Sequence, residues 1–283
     1  MKLPEAISLK LFDRHGLPHA AWMTLNDEIQ LTSKSETEKL VRALGLTGSH
    51  DRVVVKVDAA VSGKMKSGLM AIGPLDELGP KITEMFQRAR KIDLEYEDYL
   101  VEEFIEHERE YFLAIKAVRE GLQVYFSAKG GIDVEGDWGS VGSYLIPTER
   151  VLPMNWPTEE LAGLIQPSSV LSFLEEALNL FVLEDATYLE INPLAQVEAG
   201  SKQVEAGKGQ AMPLGIVMEV DEAAVFRHPE WEELRFKDQG LRQTAREKRV
   251  AQVDLEIRGS IKLVEVPRGS QFTVHRRNQL CPP

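Results

Sequence analysis

Three clusters of side chains carry residue types that can do chemistry. Lys56 lies inside the apolar run Arg52 to Asp58, "RVVVKVD", flanked by valines. A lysine there is either an edge residue whose stem reaches water or a fixed positive charge aimed at a ligand. A few residues on, "SGKMKSG" packs Gly63, Lys64, Met65, Lys66 and Gly68 into a turn between two strand-like runs. Glycines permit close backbone approach, and the lysines supply the local positive charge that a polyphosphate needs. The spacing departs from GxxxxGK[ST], which argues against a P-loop kinase or GTPase. The third cluster is "YLEINPL", Tyr188 to Leu194. Alternate residues of a strand share a face, so Glu190 and Asn192 point the same way. Pro193 has no N–H for a ladder, and the strand must end or bulge there. Oxygen ligands at a strand end suit a hard cation such as Mg2+. A strand turning into a loop with two solvated polar side chains fits the same pattern.

Carboxylates recur nearby. Glu102, Glu103 and Glu110 surround a strand pair, and "KGGIDVE" sets Asp133 and Glu135 on alternate positions. They could hold a ribose or a magnesium ion, or be solvated surface charge. His107 and His228 lack metal-like spacing and read as surface or packing residues, and no Ser/His/Asp order supports nucleophilic hydrolysis.

The totals frame these clusters. At 283 residues and 43% hydrophobic content the chain can form one large or two ordinary domains. A net charge of −12 without a strongly basic tract argues against nucleic-acid or membrane-surface binding. The single cysteine, Cys281, precludes an intrachain disulfide. No apolar signal segment or spanning stretch is visible, so a soluble cytoplasmic protein is expected.

Periodicity supplies the elements. "PEAISLKLFDRHGLP" predicts a helix closed at Gly16, and "SETEKLVRALG" predicts a second, opened by its serine and closed by Gly45. Strands are expected at Arg52 to Asp58 and Ser67 to Ile72, then a helix in "LDELGPKITEMFQRARK", then strands "YLVEEFI", "EYFLAIKAV" and "LQVYFSA". The middle of the chain reads as a proline-rich connector followed by helices, the second capped at Ser168 or Ser169. "ATYLEINPLAQV" and "PLGIVMEVD" are strands separated by a near-repeat, "QVEAGSK" then "QVEAGKG", that lengthens a turn. A charged helix and short strands "VDLEIRG", "IKLVEV" and "FTV" close the pattern, giving α/β or α+β.

In order, the strand lysine, glycine-lysine hairpin, acidic strand, "GGIDVE" and "LEINPL" resemble the ATP-grasp region of the β-type subunits of succinyl-CoA synthetase and ATP-citrate lyase. "GGIDVEGDWGSV", "VMEVDEAAVFRHPEW" and "DLEIRGSIKLVEVPRG" are most similar to the smaller subunit of two-subunit ATP-citrate lyase. The resemblance spans Lys2 to about Gly269. It implies an α+β ATP-grasp fold, two α+β lobes clasping a nucleotide, over residues 1–245. Residues 246–283 would be the truncated start of a flavodoxin-like CoA-ligase domain.

The resemblance also implies ATP and Mg2+ as cofactors. Lys56 and Lys64 would contact phosphates under the Gly63 to Met65 turn, Glu102 and Glu110 would lie along the nucleotide with Glu102 near the adenine hinge, and Asn192 would ligate Mg2+. The partner would be a large, α-type subunit carrying the phosphohistidine and CoA-binding domains, in a hetero-oligomer acting on citrate and CoA. A succinyl-CoA or citryl-CoA synthetase β-like subunit and a degenerate nucleotide-binding or assembly module are the alternatives.

Two departures from the family pattern stand out. Leu214-Gly215 replaces a Leu-Asp pair whose aspartate would be the second Mg2+ ligand, so restoring it with Gly215→Asp is expected to strengthen Mg-dependent nucleotide binding. After "VEVPRG" the chain runs "SQFTVHRRNQLCPP" where the family continues into a glycine-rich turn, so it is expected not to complete the family reaction unaided.

Overall fold

A computed structural model describes residues 1–26, 34–46, 51–61, 63–92, 94–96, 98–131, 134, 138–198, 209–231, 240–241, 244–256 and 263. Asp133, Glu135, most of the repeated QVEAG loop and, apart from Leu263, the expected strands IKLVEV and FTV lie outside these residues. The chain divides into two compact units, Met1–Gly240 and Leu241–Pro283.

Among its described residues the first unit holds two large antiparallel sheets, each with its own apolar core. Strands β1 (Trp22–Asn26), β2 (Arg52–Asp58), β3 (Met70–Pro74) and β5 (Asp98–Glu103) form a four-stranded sheet in the order β1-β5-β2-β3, and a two-residue strand, β4 (Leu94–Glu95), precedes β5. The alternation of "RVVVKVD" turns Val53, Val55 and Val57 into a core shared with α2 (Lys34–Ala43) and α3 (Gly79–Lys91). Helix α2 begins one residue before Ser35, the serine expected to open it, and Gly45 beyond its end takes the left-handed conformation. The second strand expected here starts at Met70, three residues later than Ser67, because 64–68 are spent in the turn.

The larger sheet runs β10-β9-β6-β7-β8, from β6 (Arg109–Val118), β7 (Gly121–Ser127), β8 (Gly142–Pro147), β9 (Ala186–Val197) and β10 (Gln210–Pro213). Strand β11 (Ile216–Val220) pairs with the first half of β9, and β10 with its second half, so one long strand is faced by two short ones. β8 has no counterpart among the expected elements and overlaps the expected connector only at Ile146 and Pro147: it is an edge strand, where its terminal Pro147 costs no ladder bond. Helix α1 (Glu5–His15) packs against β11 and α6 (Ser168–Leu183), and α6 lies on β9. In α6 the residues Phe173, Leu174, Ala177, Leu178 and Phe181 recur at helical spacing and are buried, each large one contributing about 1.5–3 kcal/mol. Between β8 and α6 lie the short helices α4 (Thr148–Val151) and α5 (Thr158–Leu164). The cap of α6 is Pro167, not a serine: its extended backbone aims its carbonyl at the N–H groups of Val170 and Leu171.

In the second unit, α7 (Ala245–Glu256) continues through Val253–Glu256, the first four residues of the expected strand VDLEIRG. A capping box opens it: the Thr244 N–H bonds to Glu247 Oε2 at 2.6 Å, and the Glu247 N–H bonds to Thr244 Oγ1 at 3.2 Å. Good helix formers carry it forward and outweigh the two valines. Among the described residues no helix is long and apolar enough to cross a membrane.

Where α1 and α6 end beside the chain after β11, His228 is caged. Its Nε2 meets Asp185 Oδ2 at 2.7 Å, its Nδ1 meets Glu230 Oε1 at 3.0 Å, and its ring stacks on Trp231. These atoms leave His228 packed and ion-paired. Burial opposes the imidazolium, but the hydrogen bonds to Asp185 and Glu230 outweigh it and hold the pKa above its ordinary value. A raised folded pKa contributes stability that is present below the unfolded value, about 6.5, and lost as pH rises through the folded value. Urea denaturation is therefore expected to show stability falling as pH rises from about 6 to 9, with that component absent in His228→Gln; an unchanged pH profile in the variant would contradict the ion-paired assignment.

Candidate functional site

A cleft of about 750 Å3 opens between the two sheets of the first unit. The smaller sheet contributes Lys56 and the Gly63–Lys66 turn. The larger contributes Glu110 and Phe112 from β6, Gly130 and Gly131, Glu190, Asn192 and Pro193 from β9, and Leu214–Val217, with Glu5 of α1 at their meeting point.

Lys56 is not an edge residue. β2 is flanked by β5 and β3, and with Val53, Val55 and Val57 turned into the core, Lys56 points out of the opposite face into the cleft. It is only 3% exposed. Its ammonium reaches Glu5 Oε1 at 2.8 Å, Glu102 Oε2 at 2.6 Å and the Leu214 carbonyl at 2.7 Å. A lysine has three donors, and all three are engaged. Lys64 meets the other oxygen of Glu5 at 2.8 Å.

The turn that carries Lys64 closes on itself through Ser67 N–H to Gly63 O, Gly68 N–H to Met65 O and Leu69 N–H to Lys64 O. Gly63 and Gly68 both take φ +67°, where a side chain is strained. The result holds Lys64 inward and leaves Met65 half exposed at the tip.

These contacts fix the charge states. Burial pushes the Glu5 carboxyl up, but Lys56 and Lys64 outweigh that and hold it at about 2. Glu102 goes the other way, raised by burial, because it shares one lysine and is repelled by Glu5. Burial disfavours the Lys56 ammonium, yet Glu102 and Glu5 raise its pKa well above the ordinary lysine value.

On the opposite wall, β9 does not stop at Pro193. Its register against β6 slips between Tyr111 and Leu113, a bulge that absorbs Asn192 and Pro193. The missing Pro193 N–H is thereby accommodated, while the Asn192 N–H bonds to Gly215 O and the Leu214 N–H to Pro193 O, each at 2.9 Å. Glu190 and Asn192 both line the cleft. Asn192 Oδ1 accepts the Gly131 N–H at 2.7 Å, so the glycine pair is tied to the bulge. One lone pair of that oxygen remains for a cation.

Gly215 lies so close to this bulge that a Cβ on it would stand 2.4 Å from the Asn192 carbonyl oxygen. The glycine is a packing requirement of the β10–β11 junction. An added aspartate has no room there without a backbone shift, which overturns the expectation that Gly215→Asp simply restores a ligand.

Of the residues singled out in the sequence, Lys56, Gly63, Lys64, Met65, Glu110 and Asn192 line one cleft. Glu102 does not line it; it lies buried against Lys56. Glu110 is held from outside by His107 Nε2 at 2.9 Å. Glu5 does not stand out in the sequence, because an acidic residue in a first helical turn reads as a favourable dipole contact. Only the approach of α1 to β2 gives it a second role.

The arrangement combines clustered ammonium groups with a carboxylate and an amide oxygen across one cleft. That donor set fits a polyphosphate neutralised by lysines and by a hard cation.

No family model matches the chain. It is 27% identical over 216 residues to ATP-citrate synthase alpha chain protein 2 of Arabidopsis thaliana, covering 74% of this chain and 48% of that protein. It is 26% identical over 270 residues to the succinate–CoA ligase [ADP-forming] β subunit of Roseiflexus, covering 90% of this chain and 66% of that one. Its homologues are ATP-citrate synthase subunits and succinate–CoA ligase β subunits. These are enzymes, and the chain spans about half the length of the plant relatives it matches. The structure superposes on ATP citrate lyase from Methanothrix soehngenii with a TM-score of 0.62 at 21% identity, over 92% of this chain and 61% of that one. The fold is that of ATP citrate lyase and the ATP-grasp CoA ligases, as the resemblance implied.

Two substitutions test the geometry. Lys56→Met strands Glu102 and half of Glu5 in a buried site and is expected to cost about 3–5 kcal/mol by chemical denaturation; a loss below about 1 kcal/mol would mean the network is solvated. Gly215→Asp is expected to cost about 1–3 kcal/mol from backbone strain, and a melting temperature equal to wild type would show that the junction gives way freely.

Proposed function

We propose that this chain is the ATP-binding subunit of an ATP-citrate lyase-like enzyme, using Mg-ATP to phosphorylate a histidine of a large, α-type partner subunit on the way to citryl-CoA and then acetyl-CoA plus oxaloacetate. The observation that carries this is the convergence of Lys56 and Lys64 on one carboxylate inside the cleft between the lobes, since two ammonium groups that share a carboxylate can share a phosphate. Similarity to ATP-citrate synthase subunits supports the substrate class. The lysines would orient the phosphoryl chain and neutralise its charge as transfer proceeds. Gly63–Met65 would cover it, Glu110 would line the nucleotide, and Asn192 with Glu190 would hold Mg2+. That ion would supply further charge neutralisation at the phosphoryl oxygens.

A succinate–CoA ligase β-like role is the second reading, supported by a relative of that type that spans 90% of this chain at nearly the same identity. A nucleotide-binding module without turnover is the third, and Gly215 favours it, because that position offers a metal no side-chain oxygen.

Calorimetric titration with ATP, with and without Mg2+, tests the shared premise. Binding in the range of about 1 μM to 1 mM, tightened by Mg2+ and weakened about tenfold or more in Lys64→Met, is expected. No binding under either condition would overturn the nucleotide reading. With a large subunit added, phosphoryl transfer to its histidine and a preference for citrate over succinate would separate the first reading from the other two.

A further inference from the structure

Glu5 has no part in the family pattern described above, yet it is the most constrained carboxylate in the cleft. It is 4% exposed, and every contact it makes bridges elements. Oε1 accepts from Lys56 Nζ at 2.8 Å and from the Ile216 N–H at 3.2 Å, while Oε2 accepts from Lys64 Nζ at 2.8 Å. One residue on, the Ala6 N–H donates to Asp58 Oδ1 at 3.1 Å. Ala6, Ile7, Leu9, Leu11 and Phe12 bury α1 in the core of the larger lobe, whereas Lys56, Asp58 and Lys64 belong to the smaller one. The first turn of α1 is therefore a latch between lobes.

We propose that Glu5 is an internal phosphate mimic: its carboxylate holds both lysines in the lobe-latched arrangement, and an incoming phosphoryl group takes the lysines only by displacing it. The inference rests on the nucleotide reading above and adds an element that sets its affinity and couples phosphate arrival to lobe separation.

Charge accounting supports this. In direct ion pairs Lys56 and Lys64 meet Glu5 and Glu102, two positive charges against two negative, and the buried Asp58 acts on Lys64 from nearby. A polyanion gains little from a neutral cluster, and it gains a full cation once Glu5 moves aside. Stability alone does not explain the carboxylate, because a buried ion pair contributes little net free energy over apolar packing. Glu102 cannot serve as the displaced group, since it lies beneath Lys56 and outside the cleft lining.

The test titrates the full chain with Mg-ATP and with inorganic tripolyphosphate, comparing wild type, Glu5→Gln and Lys64→Met, with circular dichroism to establish folding. Glu5→Gln keeps one oxygen for Lys56 and the Ile216 N–H, and replaces the other, which accepts from Lys64, by an NH2 donor, so the charge and the Lys64 contact go together. It is expected to bind both ligands about tenfold tighter than wild type, a gain of about 1.4 kcal/mol, while Lys64→Met binds both more weakly. A folded Glu5→Gln that binds no tighter than wild type overturns the proposal and leaves the nucleotide reading intact. Tighter tripolyphosphate binding by Glu5→Gln with no ATP binding by either chain upholds the Glu5 assignment and overturns the nucleotide reading. Absence of binding by every chain overturns both. Should Glu5→Gln fail to fold, the wild-type chain decides by NMR: the Glu5 carboxyl carbon resonance is expected to move on saturation with tripolyphosphate, and an unmoved resonance overturns the displacement.

Discussion

A lysine ammonium taken out of water must find three acceptors, and the arrangement of this molecule follows from where Lys56 finds them. One comes from α1, one from β5 and one from the loop between β10 and β11, so residues 5, 56, 102 and 214 must converge. Leaving any of the three N–H groups unpaired at this depth would cost more than the bond itself contributes. The interaction therefore specifies how the two lobes face each other, even though the apolar cores on either side supply most of the stability.

The opposite wall follows a second constraint, the absence of a donor on Pro193. A central strand cannot carry a proline in regular register, and β9 resolves this with a bulge that pushes the Asn192–Pro193 segment into the cleft. Everything nearby adapts to the bulge. Asn192 anchors the Gly131 turn, and the β10–β11 junction comes so close that only glycine fits at 215. The same geometry that aims Asn192 at the cleft thus removes room for a side chain at 215.

The cleft is accordingly asymmetric. Its lysine side is rigid, charge-balanced and tied across the lobes, while its oxygen-ligand side rests on one strand irregularity. ATP citrate lyase from Methanothrix soehngenii, at 21% identity, keeps the same fold, which agrees with a framework defined by pairing, burial and a few fixed charges.

Local patterns were readable because they report local physics. The valine alternation around Lys56 located β2 to the residue, Gly16 and Gly45 marked helix ends by their left-handed backbone, and the parity of Glu190 and Asn192 put both on the cleft face. Reading failed where neighbours decide. The edge strand β8 has too little periodicity to stand out, and α7 is opened by a reciprocal cap that suppresses the strand signal of Val253–Glu256. By itself the sequence determined which groups are available: two lysines, a glycine turn, a carboxylate beside an amide. Only the tertiary structure decided how they are used. Whether Lys56 is central or at an edge depends on strand order, whether Glu102 faces the cleft or the lysine depends on what packs over it, and whether Glu5 is a helix-end charge or the shared partner of two lysines depends on α1 meeting β2 from across the chain. Charge pairing over more than fifty residues leaves no periodic trace in sequence, because its energy depends on distance and burial in space.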